Sequence, residues 1–330
     1  MNGPMYFIRD VRVPTQRPRN SAEVHEALEV LHPVVPRGPL RTTSITKINL
    51  MASNIPQSTA RVMNLTFLSV GVALNFSVIL VIISKKSMRT ATGLHYISLT
   101  LSNMVILIEP FEEVLKWFFA VDMKLNMDYV CMISFDVSVI TIAILKLLLY
   151  IDIFQQHTSL GQLLLKKMTA MKGILLTWAA CIVCLAIGLH IYDFFEGDMA
   201  DIYVWNTIMF IIMPLFIYIA LDCLILYELL ILKETEGSWR LKELRQFVML
   251  VIVAIAFLTI RTPYRVARAV NFIEPKASCC TDSKREILYF IAKTFPAVCS
   301  IIYIIMSSEF HEALKDLLKC RCQRSPKETV

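Results

Sequence analysis

Charge is scarce in this chain. Only 18% of its 330 residues are Asp, Glu, Lys or Arg, while 56% are hydrophobic, and the mean hydropathy is +0.59. A soluble domain of this length is not so apolar, so a multi-spanning membrane protein is the first expectation. Patterns that carry chemistry are missing too. The sequence holds no nucleophile–base constellation, no phosphate-cradling loop and no metal cluster, so neither enzymatic activity nor a cofactor is expected. Cys181 and Cys184 have CxxC spacing, but they lie in an apolar run with no second pair and read as small core residues. Residues 1–60 contain no short apolar stretch behind a basic start, so no cleavable signal peptide is expected and the first apolar segment acts as its own insertion signal. No internal repeat or Gly/Pro-broken helix pair is visible, which removes the main sign of a transporter or channel.

What the chain does have is long apolar runs. They cover 64–84, 95–120, 128–154, 171–193, 203–232, 244–272 and 286–306. Each is long enough, as a helix, to cross about 30 Å of hydrocarbon. The expected architecture is therefore all-α, a bundle of seven transmembrane helices at 63–306. Before it, residues 1–62 carry Pro and Arg ("RVPTQRPRN") and read as a disordered extracellular tail, with Met51 as an alternative start. After it, 307–319 reads as an amphipathic helix that puts Phe310, Leu314, Leu317 and Leu318 on one face, and 320–330 as a cytoplasmic tail.

Orientation follows from the loop cations. Lys85, Lys86 and Arg89, then Lys166, Lys167 and Lys172, then Lys233, Arg240, Lys242 and Arg245 fall on one side, together with the basic tail. The opposite loops hold few cations, and "YDFFEGDMAD" is purely acidic. The amino terminus is expected outside and the carboxyl terminus inside, so the net charge of +6 belongs to the inner membrane face rather than to nucleic-acid binding. Cys131, Cys279 and Cys280 fall at the outer side, where a disulfide is open to them. Asn64-Leu65-Thr66 is a glycosylation sequon close to the first helix. Cys320 and Cys322 follow the amphipathic helix directly and are palmitoylation candidates. The final "KETV" offers a carboxylate of the kind PDZ modules capture.

A set of landmarks recurs in order along these segments. They are Asn75 in "ALNFSVIL", Asn103 in "LTLSNMVIL", Asp152 in "YIDIF", Trp178 in "LLTWAA", Pro214 in "IIMPLF", Pro263 in "FLTIRTPYRV", and Tyr303 in "CSIIYIIM" ahead of the amphipathic helix. Over about 62–322 the chain is similar to rhodopsin-like (class A) G-protein-coupled receptors. The resemblance implies a plasma-membrane receptor for an extracellular ligand, acting through a heterotrimeric G protein or an arrestin. The departures bear on mechanism. Ile153 stands at the DRY arginine, Arg261 at the toggle tryptophan, Cys299 and Ser300 at the Asn and Pro of NPxxY, Asn103 at the second-helix aspartate, and Asp222 at a frequent tyrosine. The second outer loop has no cysteine to meet Cys131. The pattern is that of an atypical, orphan-type member, and a non-signalling scavenger or heteromer partner is the other function it allows.

Ionisable residues inside apolar runs are costly, about 2.5–3.5 kcal/mol each at the centre, so they should face the bundle and find partners. Arg261, Arg265 and Arg268 form one helical stripe, and Glu109, Glu113 and Lys116 another. Two arrangements are open. In the first the charges pair internally: Glu109 or Glu113 with Lys293 or Arg265, and Lys146 with Asp222. In the second Arg261, Tyr264, Arg265 and Lys293, with Glu109 and Glu113, line a polar outer cavity that takes an anionic ligand group. Asp152, Asn103, Pro214, Pro263, Tyr303, Lys146 and Asp222 are then the coupling residues. Lys293 in "FIAKTFPAV" also resembles the lysine of opsins that holds retinal. Its usual counterion position has no clear carboxylate, and Asp136 and Glu113 are the substitutes.

Overall fold

The computed structural model describes residues 56–121, 127–194, 199–274 and 282–323. Cys279, Cys280, the carboxyl-terminal "KETV", almost all of the expected 1–62 tail and the side chains of Leu317, Leu318, Cys320 and Cys322 lie outside the described set. Every regular element among the described residues is helical. Six helices are long and apolar enough to cross a membrane, and a bent pair makes a seventh if it is taken as one span.

The first helix, α1 (Gln57–Ser84), begins six residues ahead of the expected 62/63 boundary. A 3-10 turn (Lys86–Met88) leads to α2 (Ala91–Val105), whose start is capped by the Thr90 hydroxyl accepting from the Gly93 amide at 3.1 Å. The second apolar run does not stay one helix. It breaks after Val105 and resumes as α3 (Ile108–Phe119), bent by 44°. Pro110 is the cause: it has no N–H for the Ile106 carbonyl, and its ring crowds that carbonyl. The expectation of no proline-broken helix is corrected here, and two further breaks follow.

The central element is α4 (Met127–Tyr150), which ends in a π-helical turn (Ile151–Gln155). Its span is 61% buried, against 11% for α7, so α4 is the axis and α7 a flank. A short α5 (Ser159–Leu164), capped by Thr158, precedes α6 (Lys167–Phe194). α7 (Met199–Glu236) carries Pro214 without breaking. Gly237, at φ +70°, turns the chain, and Glu236 bonds Arg240, whose guanidinium it holds above its already high range. The sixth run forms α8 (Leu241–Ile260) and α9 (Thr262–Ile273), joined at Arg261 with Pro263 in the first turn of α9. The seventh forms α10 (Asp282–Ala292) and α11 (Phe295–Met306), separated by Lys293 and Thr294 with Pro296 just beyond.

α12 (Ser308–Gln323) runs four residues past the expected 319. Its Phe310 and Ala313 are buried, with the Phe310 ring 5.8 Å from that of Tyr303. Leu314 is partly exposed, so the inward face is narrower than expected. Arg245 donates to the Ile305 carbonyl at 2.9 Å, Lys242 pairs with Glu309 at 2.9 Å and Lys85 with Asp316 at 3.5 Å. These contacts tie α12 to the basic end of the bundle. Outward faces hold large apolar side chains such as Phe76, Leu175, Leu176 and Phe216, a surface that belongs against hydrocarbon rather than water.

Candidate functional site

The buried charges form four groups along the bundle interior. The first surrounds the break between α10 and α11. Pro296 ends the ladder there, and Lys293 points inward with only 3% of its surface exposed. Its ammonium lies 2.6 Å from Glu109 of α3, donates to Asn64 Oδ1 of α1 at 3.2 Å, and faces the rings of Tyr289 and Phe290. Tyr264 stacks against Tyr289 at 4.5 Å. Asn64, the sequon asparagine, is thus inside the bundle and bonded. Glu113, one turn further along α3, is half-buried and forms no ion pair among the described residues.

The second group is built on Arg265. Its guanidinium lies 3.1 Å from Asp136 of α4, bonds the Asn206 carbonyl oxygen, and donates to Thr207 Oγ1 at 3.3 Å. Asn206 returns a bond to the other Asp136 oxygen at 3.1 Å. The Phe135 ring covers the guanidinium at 4.3 Å. Asp136, and neither Glu109 nor Glu113, is therefore the partner of Arg265. Rotation of α4 brings Asp136 to the α7 side, and the bend at Pro110 leaves Glu109 with Lys293 instead.

The third group is Arg261, one turn below. Its guanidinium has no carboxylate within ion-pair distance among the described residues. It donates to Ser138 Oγ at 3.3 Å and Ser134 Oγ at 3.1 Å, inside a cage of Phe135, Phe257 and Phe295 rings at 5.6, 5.6 and 6.0 Å. Ser134 in turn donates to the Ser102 carbonyl at 2.6 Å, and Ser138 reaches Asn103 Oδ1 at 3.4 Å. Asn103, from the landmark list, thus joins Arg261 through one hydroxyl. The serines were missed in the sequence because single serines in apolar helices give no periodic signal. Residues 134 and 138 are i, i+4 neighbours, and that spacing is the one trace they leave.

The fourth group lies nearer the basic end. Lys146 of α4 is fully buried and bonded to Asp222 of α7, as the sequence pairing expected. Its ammonium faces the Tyr218 ring at 5.6 Å, and Tyr218 donates to the Val139 carbonyl at 2.8 Å. Asp152 is exposed on the terminal π turn, with Ile153 turned inward. Tyr303 is buried 4.4 Å from Tyr96. Pro214 lies on α7, and Pro263 lies at the α8–α9 joint between Arg261 and Arg265. Asn75 ties α1 to α11 by donating to the Pro296 carbonyl at 3.1 Å, and Trp178 ties α6 to α2 through Ser98 at 3.1 Å.

No protein-family model matches the chain, and no curated protein matches it either.

Proposed function

We propose that the chain is a seven-span receptor of the plasma membrane, amino terminus outside, that passes an extracellular signal to a G protein or an arrestin. The observation that carries this reading is the coincidence of buried charge with broken helices. Glu109 adjoins Pro110, Arg261 and Arg265 flank Pro263, and Lys293 precedes Pro296. A ligand with an anionic group that reaches Lys293 or Arg265 competes with Glu109 or Asp136 for its cation. It thereby acts on three helices already jointed at those points. Such competition gives the ligand the differential affinity for two arrangements that a switch requires. On this reading α2 with α3 is one span, and α12 is an eighth helix lying in the inner interface, with Cys320 and Cys322 in its last turn. Arg261 replaces an aromatic switch by a caged cation.

A second function, a receptor fold that no longer signals, is favoured by one feature. Ile153 is buried where the resemblance expects an arginine to meet the transducer. Ligand-free second-messenger output separates the two. Wild type, Arg261→Trp and Ile153→Arg are expressed at matched surface level. Basal output from the wild type supports the signalling receptor. A silent wild type that the substitutions awaken points to a fold that has lost coupling.

A further inference from the structure

The Arg265–Asp136 and Lys293–Glu109 pairs differ in access. The Arg265 and Asp136 side chains keep only 3% and 5% of their surface exposed, whereas Glu109 keeps 24% beside a buried Lys293. Glu109 Oε2, the oxygen that meets Lys293, is itself buried, so the exposure lies on the rest of the side chain. The phase of α3 tells which way it opens. Phe111 and Phe118 are exposed and mark the lipid side of that helix. Glu109 and Glu113 each stand two residues from Phe111, about 200° around the helix, and so share the opposite side. The open part of Glu109 therefore faces into the bundle.

The depth of the pair follows from α11. Lys293 lies fourteen residues, about 21 Å of helix rise, from Ser307 at the basic end. In a hydrocarbon layer about 30 Å thick that is about 9 Å below the opposite face. A small molecule that enters between the helices from that face meets the pair before any other buried charge group.

Charge selects the ligand. Lys293 and Glu109 neutralise each other, while Glu113 forms no ion pair among the described residues. A ligand with an anion alone meets two carboxylates first. On reaching Lys293 it would strand both of them, one turn apart, without a cation. A ligand with a cation alone satisfies Glu113 but does not compete for Lys293. A ligand with both charges does both. Its carboxylate takes Lys293 from Glu109, its ammonium sits between Glu109 and Glu113, and the net charge of the interior is unchanged. Its two charges must stand about as close as the pair they divide, 2.6 Å apart, which puts them on one carbon atom. The rings of Tyr289 and Phe290, centred 4.4 and 4.7 Å from the Lys293 ammonium, give the rest of the molecule an apolar wall. We propose that Lys293, Glu109 and Glu113 recognise a free α-amino acid with an apolar side chain. This rests on the receptor reading above for the site a ligand attacks, but binding itself needs no transducer.

The test measures the thermal stability of the purified full chain in phosphatidylcholine nanodiscs against four probes. They are L-norleucine, its isomer 6-aminohexanoate, hexanoate and L-norleucine methyl ester. The first has both charges on one carbon, the second has them at opposite ends, and the last two carry one charge each. At about ten times its dissociation constant, L-norleucine should raise the melting temperature by about 3 °C. The other three should bind at least about tenfold more weakly. Glu113→Gln leaves the Lys293–Glu109 pair in place. It should weaken L-norleucine about tenfold and leave hexanoate unchanged. If that variant fails to fold, the ranking of the four probes on the wild type still decides. No shift with L-norleucine up to about 50 mM overturns the proposal. Equal binding of hexanoate overturns it while an anionic ligand at Lys293 still stands, and equal binding of the methyl ester overturns both. Equal binding of 6-aminohexanoate rejects the α-amino acid.

Discussion

The Lys293 ammonium, at the break between α10 and α11, lies 2.6 Å from the Glu109 carboxylate of α3. It joins two helices that proline has already interrupted, at Pro110 and at Pro296. Removing one partner strands the other in a largely apolar surrounding. Lys293→Met should destabilise the protein by about 3 kcal/mol, the lower end for a broken buried pair because Glu109 keeps some exposure. Glu109→Gln with Lys293→Met together should recover most of that loss. A thermal-stability cycle on purified protein measures the coupling, and simple additivity of the two changes would show that the pair is not coupled.

Arg261 and Arg265 are one turn apart on the same stripe, yet the same substitution should act on them with opposite sign. Arg265→Met strands Asp136, which is 3% exposed, and should cost about 3–5 kcal/mol. Arg261→Met strands no carboxylate. Ser134 and Ser138 keep backbone acceptors on Ser102 and Ser134, and methionine packs among the three phenylalanines. Here the buried charge itself is removed, so Arg261→Met should leave stability unchanged or raise it by about 1–4 kcal/mol. Denaturation in detergent of the two variants side by side checks the sign, and a loss at both positions would mean that Arg261 has a counter-charge after all.

This contrast marks where the sequence stops being informative. Apolar runs and loop cations made the helical membrane character legible, and the cost of buried charge required Arg261 and Arg265 to face inward. The Lys146–Asp222 pair was legible as well, because both charges lie at matching depth on long, unbroken helices. Partners of Arg265 were not. They depend on how far α4 is rotated and on the bend at Pro110, and a one-dimensional pattern records neither. The start of α1 at Gln57 was hidden for a different reason: its first turn is polar, and hydropathy reports only the part of a helix that matches hydrocarbon. Asn64 read as a glycosylation sequon close to the first helix because nothing nearby in sequence announces Lys293, 229 positions away.

Two turns at the basic end share one device. Thr90 caps α2 through the Gly93 amide, and Thr158 caps α5 through the Gly161 amide. A Cβ on Gly93 would stand 2.0 Å from the Met88 carbonyl oxygen, and one on Gly161 2.0 Å from that of Gln155. Both obstacles are backbone, so no side chain can swing clear. Gly93→Ala and Gly161→Ala should each cost about 3 kcal/mol or more, whereas Gly173→Ala, whose nearest neighbour is 4.0 Å away, should cost little. Melting temperatures of the three variants decide, and an unchanged Gly93→Ala would mean that the turn relaxes freely.

The Lys146–Asp222 pair links the axial helix α4 to the flanking helix α7 near the basic end. Lys146→Met leaves Asp222 with one exposed face and no cation. Asp222→Asn leaves a fully buried ammonium with an amide oxygen as its acceptor. The second variant should be the more damaging, since its orphan is the group that cannot reach the surface, and a loss of about 3–5 kcal/mol is expected. Reversing the pair, Lys146→Asp with Asp222→Lys, keeps the summed reach of the two side chains and places the longer one at the partly exposed position on α7. The reversed protein should therefore regain most of the stability lost by either single change. If the pair also restrains a signalling rearrangement of α7 against α4, the single variants should raise ligand-free second-messenger output and the reversal should lower it again at matched surface expression. Restored stability with output unchanged across the series would assign the pair to folding alone.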